Sequence, residues 1–123
     1  MDTKRVLIIE DEVDVSNILQ NVLKLAQIES DIASSGKEAL QKLQQTTFHG
    51  IILDLTLPDT HGKDLYHQIV AHHPELKGKV LFTSGYNLDE ELERLLEESG
   101  NRFMQKPFQL MELKAVVAEI VNG

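Results

Sequence analysis

Cysteine is absent from this 123-residue chain, which excludes disulfides and thiolate metal sites outright. That absence fits a cytoplasmic protein. No apolar run approaches the roughly 20 residues that cross a bilayer, so membrane insertion is not expected. The opening residues, MDTKRVLIIEDE, lack the long apolar stretch and small-residue cleavage site of a signal peptide. Internal repeats, low-complexity tracts and Pro-, Gly- or Ser-rich linkers are missing as well. Basic side chains are few: 12 Lys and Arg stand against 20 Asp and Glu, a formal net charge of -8. Such a surface repels phosphate backbones and anionic lipids, so proteins or cations are the expected partners and direct nucleic-acid binding is not.

What is present suits one compact domain spanning residues 1–123, with 41% apolar residues to fill a core. Two apolar periods alternate along it. Arg5 to Ile9 is short, β-branched and apolar on both faces, as a buried parallel strand should be. Val15, Ile18, Leu19, Val22, Leu23 and Ala26 then recur at helical spacing. Ser30 to Ala33 is a weaker strand. Ser35 can cap a helix carrying Ala39, Leu40 and Leu43, with Glu38 as its capping-box partner. Gly50 to Leu53 reads as the next strand. A third helix runs from about Gly62 to His72, with Leu65, Ile69 and Val70 inward, and stops before Pro74. Lys79 to Thr83 is a fourth strand. Leu88, Leu92, Leu95 and Leu96 mark an acidic helix ended by Gly100. Arg102 to Gln105 is the fifth strand, and Leu110, Leu113, Val116, Val117 and Ile120 line the last helix. Five βα units in series predict an α/β fold, a parallel sheet with helices on both faces.

In such sheets functional groups gather at the carboxyl ends of the strands. Glu10 and Asp11 end the first strand, Asp54 the third, and Thr83 and Ser84 the fourth, while Lys106 follows the fifth. Carboxylates brought together repel one another unless a cation neutralises them. Ligands that are all oxygen suit a hard ion such as Mg²⁺. A lysine beside them can hold a phosphoryl group, and a serine hydroxyl can add a hydrogen bond. The set points to phosphoryl transfer, with a carboxylate nucleophile, a metal and a cationic clamp.

The segments VLIIEDE, IILDLTLPDTHG, VLFTSGY and FMQKPF, in that order, resemble those of a bacterial response-regulator receiver domain along essentially the whole chain. The spacing agrees too: Ser84 lies 30 residues after Asp54, and Lys106 lies 22 after Ser84. The resemblance implies a doubly wound, five-stranded parallel sheet of flavodoxin-like order 2-1-3-4-5. It makes Asp54 the phosphoacceptor. Asp11 would bind Mg²⁺ (or Mn²⁺ as a substitute) directly, Glu10 through a water, and Thr56 by its main-chain carbonyl, with Asp54 completing the protein ligands. Lys106 would contact the phosphoryl group, and its bond to Pro107 would be cis. Backbone N–H groups of Thr56 and Gly85 would touch the same group. Ser84 would move toward it, and Phe103 would be the aromatic switch residue coupled to that movement. Pro58 and Gly62 would shape the loop after Asp54. The implied partners are a histidine kinase or phosphotransfer protein upstream and a protein or linked output domain downstream, with a phosphorylation-dependent dimer allowed. The chain would catalyse its own phosphorylation and dephosphorylation and turn over no separate substrate. It would either stand alone or form part of a longer regulator or hybrid kinase.

Three positions depart from the common pattern of that family. Glu10 replaces the more frequent Asp and lengthens the reach to the metal. Ser84 replaces Thr and loses a methyl group; neighbouring Thr83 is a rival, but spacing favours Ser84. Phe103 lacks the hydroxyl of the usual Tyr, so switching must rest on packing. Thr56 and Tyr86 flank the approach of water to a phosphorylated Asp54; Tyr86 either shields it or packs on the surface of the fourth helix.

Blander readings exist for single residues. Acidic groups after a strand often cap helices, an isolated lysine is usually solvated, and an isolated phenylalanine is usually core. The Leu-rich stripe of the fourth helix is first a packing face. Its acidic residues Asp89, Glu90, Glu91 and Glu93 are mainly a solvated face that suits the helix dipole. His67, His72 and His73 are expected to face solvent, because His67 and His72 miss the i, i+4 ligand spacing. Two other functions compete. A haloacid-dehalogenase-type phosphatase also uses an Asp nucleophile, but it needs a second Asp two residues later, where Thr56 stands, and its nucleophile follows the first strand. A receiver-like module deaf to phosphate would not need the full constellation.

Overall fold

The computed structural model describes residues 3–87 and 89–123. Among them, strands and helices alternate: β1 (Arg5–Ile9), α1 (Val13–Leu25), β2 (Glu29–Ala33), α2 (Gly36–Gln45), β3 (Gly50–Asp54), α3 (Gly62–His72), β4 (Val80–Ser84), α4 (Glu90–Ser99), β5 (Arg102–Gln105) and α5 (Leu110–Asn122). The strands are parallel, in the order β2-β1-β3-β4-β5. This is the doubly wound α/β architecture that the alternation predicts.

Central strands covered on both sides must be apolar at nearly every position. Val6, Leu7, Ile8 and Ile9 of β1 and Ile51, Ile52 and Leu53 of β3 are buried accordingly. The two-residue period of a strand then divides them. Leu7, Ile9, Ile51, Leu53 and Phe82 join Ala39, Leu43, Leu65, Ile69 and Leu95 in a layer under α2, α3 and α4. Val6, Ile8, Ile52 and Leu81 join Leu19, Leu23, Leu113, Val117 and Ile120 under α1 and α5. Each large side chain buried this way contributes about 1.5–3 kcal/mol. That burial presses the helices onto the sheet and holds the strand ends level. The edge strands β2 and β5 are only half-buried, which is why their patterns are weaker in the sequence.

Several details differ from expectation. β4 runs one residue later than its apolar run suggests, over Val80–Ser84, and Ser84 closes the strand as expected. A 3-10 turn at Pro74–Leu76 follows α3 and buries Leu76. Ile18 belongs to the helical stripe of α1 yet is 47% exposed, because α5 covers only part of that stripe. Leu110 is exposed at the start of α5. Ser35 does accept from the Glu38 N–H. The Glu38 carboxylate, however, reaches Ser34 rather than Ser35, so only half of the capping box forms. Asp89 caps α4 by accepting from the Leu92 N–H. Leu95 is buried and Leu92 and Leu96 are half-buried, while Leu88 lies outside the described residues. Gly100 ends α4 at φ 71°, a backbone conformation that favours glycine. No helix among the described residues is long and apolar enough to cross a membrane.

Candidate functional site

All strands point the same way, so their carboxyl ends share one rim. The register sets Ile9 beside Leu53, Asp54 beside Thr83, and Ser84 beside Gln105. Glu10 and Asp11, which leave β1, therefore meet Asp54 at the end of β3. Carboxylate oxygens of the three lie within 4.8 Å of one another. Asp54 is 1% exposed and Glu10 2%, whereas Asp11 faces solvent. The Glu10 N–H bonds the Ala33 carbonyl, so its backbone is held by the sheet even though its side chain is polar.

Lys106 arrives from the end of β5. Its Nζ stands 2.5 Å from Glu10 Oε1 and 3.2 Å from Asp54 Oδ2. Glu12 Oε1 is a looser neighbour at 3.9 Å. The peptide between Lys106 and Pro107 is cis, as the resemblance implies. The other oxygen of Asp54 is fixed by Thr56, whose N–H and hydroxyl both donate to Oδ1 at 2.9 Å. Asp54 is thus held at both oxygens by neighbours that favour its charged form.

The ionisation follows from this geometry. Burial is the largest influence on Glu10 and, with the neighbouring Asp54, pushes its carboxyl up to about 7 against the pull of Lys106. Burial also raises Asp54, but a bond from Glu10, the two Thr56 donors and the Lys106 charge outweigh it and leave Asp54 below its ordinary value. Burial lowers Lys106, yet Glu10 and Asp54 together more than reverse this and raise it. Two adjacent buried carboxyls cannot both ionise cheaply beside one ammonium. With Glu10 raised and Asp54 lowered, a proton held by the pair sits on the Glu10 side. Three clustered carboxyl groups short of one positive charge fit a hard divalent ion.

The remaining candidates border the same rim. Ser84 is buried, and its Oγ accepts from the Tyr86 N–H at 3.0 Å. Its carbonyl accepts from the Lys106 N–H. Thr83, the rival hydroxyl, is buried next to Asp54 in the register, with its carbonyl bonded to Leu55 N–H. A β-carbon added at Gly85 would meet nothing within 4 Å, so space opens beside its backbone. Thr56, Ser84, His61, Lys63 and Tyr86 line a cleft between α3 and α4. Tyr86 borders that cleft and is 72% exposed. Phe103 pairs in register with Phe82 and, half-buried, packs against the same core cluster as Leu92 and Leu96. His67 and His72 are exposed as expected, while His73 is half-buried beside Glu75. Among the described residues, Glu10, Asp11 and Asp54 are the one cluster of potential ligands.

Two features escape sequence reasoning. One is the hydroxyl bond from Thr56 to Asp54; an Asp-x-Thr spacing permits it without requiring it. The other is the direct Glu10–Lys106 pair, whose members are 96 residues apart.

The family model described as the response regulator receiver domain matches residues 6–118. The transcriptional regulatory protein CreB of Escherichia coli is 31% identical over 99% of this chain and 52% of its own length. The response regulator protein PilR of Pseudomonas aeruginosa is 30% identical over 96% of this chain and 26% of its own. The chain thus spans a quarter to about half of these relatives. Among solved structures, a two-component response regulator from Clostridium difficile superposes with a TM-score of 0.86 at 25% identity, covering 98% of this chain and 97% of that one. The signal receiver domain of a putative Luxo repressor protein from Vibrio parahaemolyticus gives 0.87 at 25%, covering 98% and 92%.

Proposed function

The chain belongs to the response regulator receiver family, and from that premise we propose that Asp54 accepts a phosphoryl group from a histidine kinase or phosphotransfer protein. The observation that carries this is the setting of Asp54: buried, and held at one oxygen by Thr56 and at the other by Lys106, contacts that favour its charged form. An Asp54 oxygen attacks phosphorus, the bond to the donor nitrogen breaks, and that nitrogen leaves with its electron pair.

Asp11, Asp54 and the Thr56 carbonyl would hold Mg²⁺ or Mn²⁺, with Glu10 reaching it through water. When bound, the ion supplies positive charge that offsets the crowded carboxylates and the incoming phosphoryl oxygens. Lys106 keeps an ammonium beside Asp54 Oδ2 and would follow the phosphoryl oxygens. The N–H groups of Thr56 and Gly85 and the Ser84 hydroxyl would complete the cradle. To reach it, Ser84 must release the Tyr86 N–H, which ties the strand end to the segment leading into α4. Phe103 would then repack against Leu92 and Leu96, altering the surface from α4 to α5 that a downstream protein or linked output domain reads. Such a surface also allows a dimer of the phosphorylated form.

In this role the chain is one signalling domain of the cytoplasm, acting on its own Asp54 rather than on a separate substrate. The test is labelling with acetyl phosphate and Mg²⁺, read by intact mass. One phosphoryl group is expected on the wild-type chain and none on Asp54→Ala. Equal labelling of both would overturn the assignment.

A further inference from the structure

The loop between β3 and α3 carries Thr56, and its tip is fastened to a different part of the molecule. The base of the loop is closed by a bridge between Thr56 and His61 and by the Gly62 N–H to the Leu55 carbonyl. A β-carbon on Gly62 would stand 2.6 Å from Leu55 Cα, so the two sides of the base touch. At the tip, Asp59 Oδ1 accepts from the Gly36 N–H at 2.9 Å, and Oδ2 accepts from the Lys37 N–H at 3.2 Å. These are the first two N–H groups of α2, and the Glu38 N–H is taken by Ser35. The fit is close: a β-carbon on Gly36 would lie 2.6 Å from Thr60 Cγ2. The bond to the Gly36 N–H is also the first cause of the lowered Asp59 carboxyl.

We propose that Asp59 is a positioning residue, which clamps the loop tip onto α2 and so fixes the Thr56 peptide at the metal and phosphoryl site. This rests on the receiver function proposed above. Thr56 has two duties that need a fixed backbone: its N–H holds Asp54 Oδ1, and its carbonyl would be a ligand of the ion in the function proposed above. The Thr56 N–H and hydroxyl bond Asp54 and its backbone bridges His61, and the Asp59 contacts at the tip are the next fastening along the loop. Thr56 and Pro58 are exposed, and between Thr56 and the tip only Leu57 is buried. Six residues fastened at base and tip cannot rotate one peptide freely, whereas a loop fastened only at its base can. A purely local role is the alternative, with Asp59 serving α2 as an outside cap. The two differ in which property a substitution moves.

The experiment compares the full chain with Asp59→Ala, Asp59→Asn, Gly36→Ala and Ser35→Ala. Mg²⁺ affinity is measured by NMR titration, the Thr56 amide shift is read without metal, and Asp54 labelling by acetyl phosphate is followed by mass. Asp59→Ala should weaken Mg²⁺ and slow labelling by roughly three- to tenfold, somewhat less than loss of a group bonded directly to a ligand. It should also move the Thr56 amide. Asp59→Asn, which keeps one acceptor, should fall between. Gly36→Ala, which pushes Thr60 away, should imitate Asp59→Ala. Ser35→Ala removes the helix's own cap and should lower thermal stability with Mg²⁺ affinity within twofold of wild type. Unchanged affinity and an unmoved Thr56 amide in Asp59→Ala would overturn the clamp, as would an equal loss in Ser35→Ala. If the wild-type chain takes no phosphoryl group while Asp59→Ala still weakens Mg²⁺, the clamp stands and the phosphoacceptor function falls.

Discussion

Lys106 Nζ lies 2.5 Å from Glu10 Oε1, which puts the lysine where a second cation would compete for the same carboxylates. The ammonium neutralises part of the cluster in the metal-free protein. It also repels an incoming divalent ion. Lys106→Met should therefore tighten Mg²⁺ binding several-fold while slowing phosphorylation by at least roughly tenfold, because the phosphoryl group loses its cationic contact. Metal-free Lys106→Met should also lose about 1–3 kcal/mol of stability, since the buried carboxyls lose their charged partner. Mg²⁺ titration and urea denaturation check the two parts. Weaker Mg²⁺ binding in the variant would contradict the competition.

The raised carboxyl of Glu10 makes metal binding depend on pH. Its folded value of about 7 lies above the ordinary 4.5, so its contribution to metal-free stability is full below about 4.5 and is lost as pH rises through about 7. Asp54 acts in the opposite sense: its value is lowered, and its contribution is lost as pH falls through that lowered value. Binding Mg²⁺ should displace the Glu10 proton. Apparent affinity should rise by up to about tenfold per pH unit below about 7 and level off above it. Calorimetry in buffers of different ionisation enthalpy would count the released proton. Affinity that stays flat between about pH 6 and about pH 8 would remove Glu10 from the site.

Phe103 should transmit phosphorylation through packing alone, because it has no hydroxyl to form a new bond. With beryllium fluoride as phosphoryl mimic, amide shifts in the wild-type chain should extend from the rim along residues 89–113. In Phe103→Ala the rim shifts should remain and those of α4 should shrink. Shifts limited to the rim in the wild-type chain would mean that Ser84 and Phe103 are not coupled.

A buried polar relay supports the same region. Asn101 Oδ1 accepts from the Val80 N–H at 3.2 Å, and Asn101 Nδ2 donates to the Tyr66 hydroxyl at 3.0 Å. Tyr66→Phe leaves one amide hydrogen without an acceptor and should cost about 1 kcal/mol. Asn101→Ala strands the Val80 N–H and should cost about 2 kcal/mol, seen as a melting temperature lower by several degrees. Labelling of Asp54 should be unaffected in Tyr66→Phe. A loss of labelling there would give the relay a role beyond stability.

By itself the sequence determined the order and type of the elements. Short continuous apolar runs and stripes of period three to four are local, and they locate β1, β3, α2 and α5 without knowledge of any partner. Chain direction then assigned Glu10, Asp11, Asp54, Ser84 and Lys106 to a common rim, since each ends or follows a strand of a parallel sheet. Tertiary structure decided the rest. Which carboxyl keeps its proton depends on Lys106 meeting Glu10 across 96 residues, and on how deeply each group is buried. Ile18 remained exposed because its covering depends on where α5 lies, not on its own helix. Tyr66 became buried because Asn101 satisfies its hydroxyl, a partner 35 residues away. Asp59 found α2 only because the loop folds back over it; in sequence it is one more turn-forming acid after a proline. Periodicity is a property of neighbours along the chain, whereas charge state and loop anchoring are properties of neighbours in space.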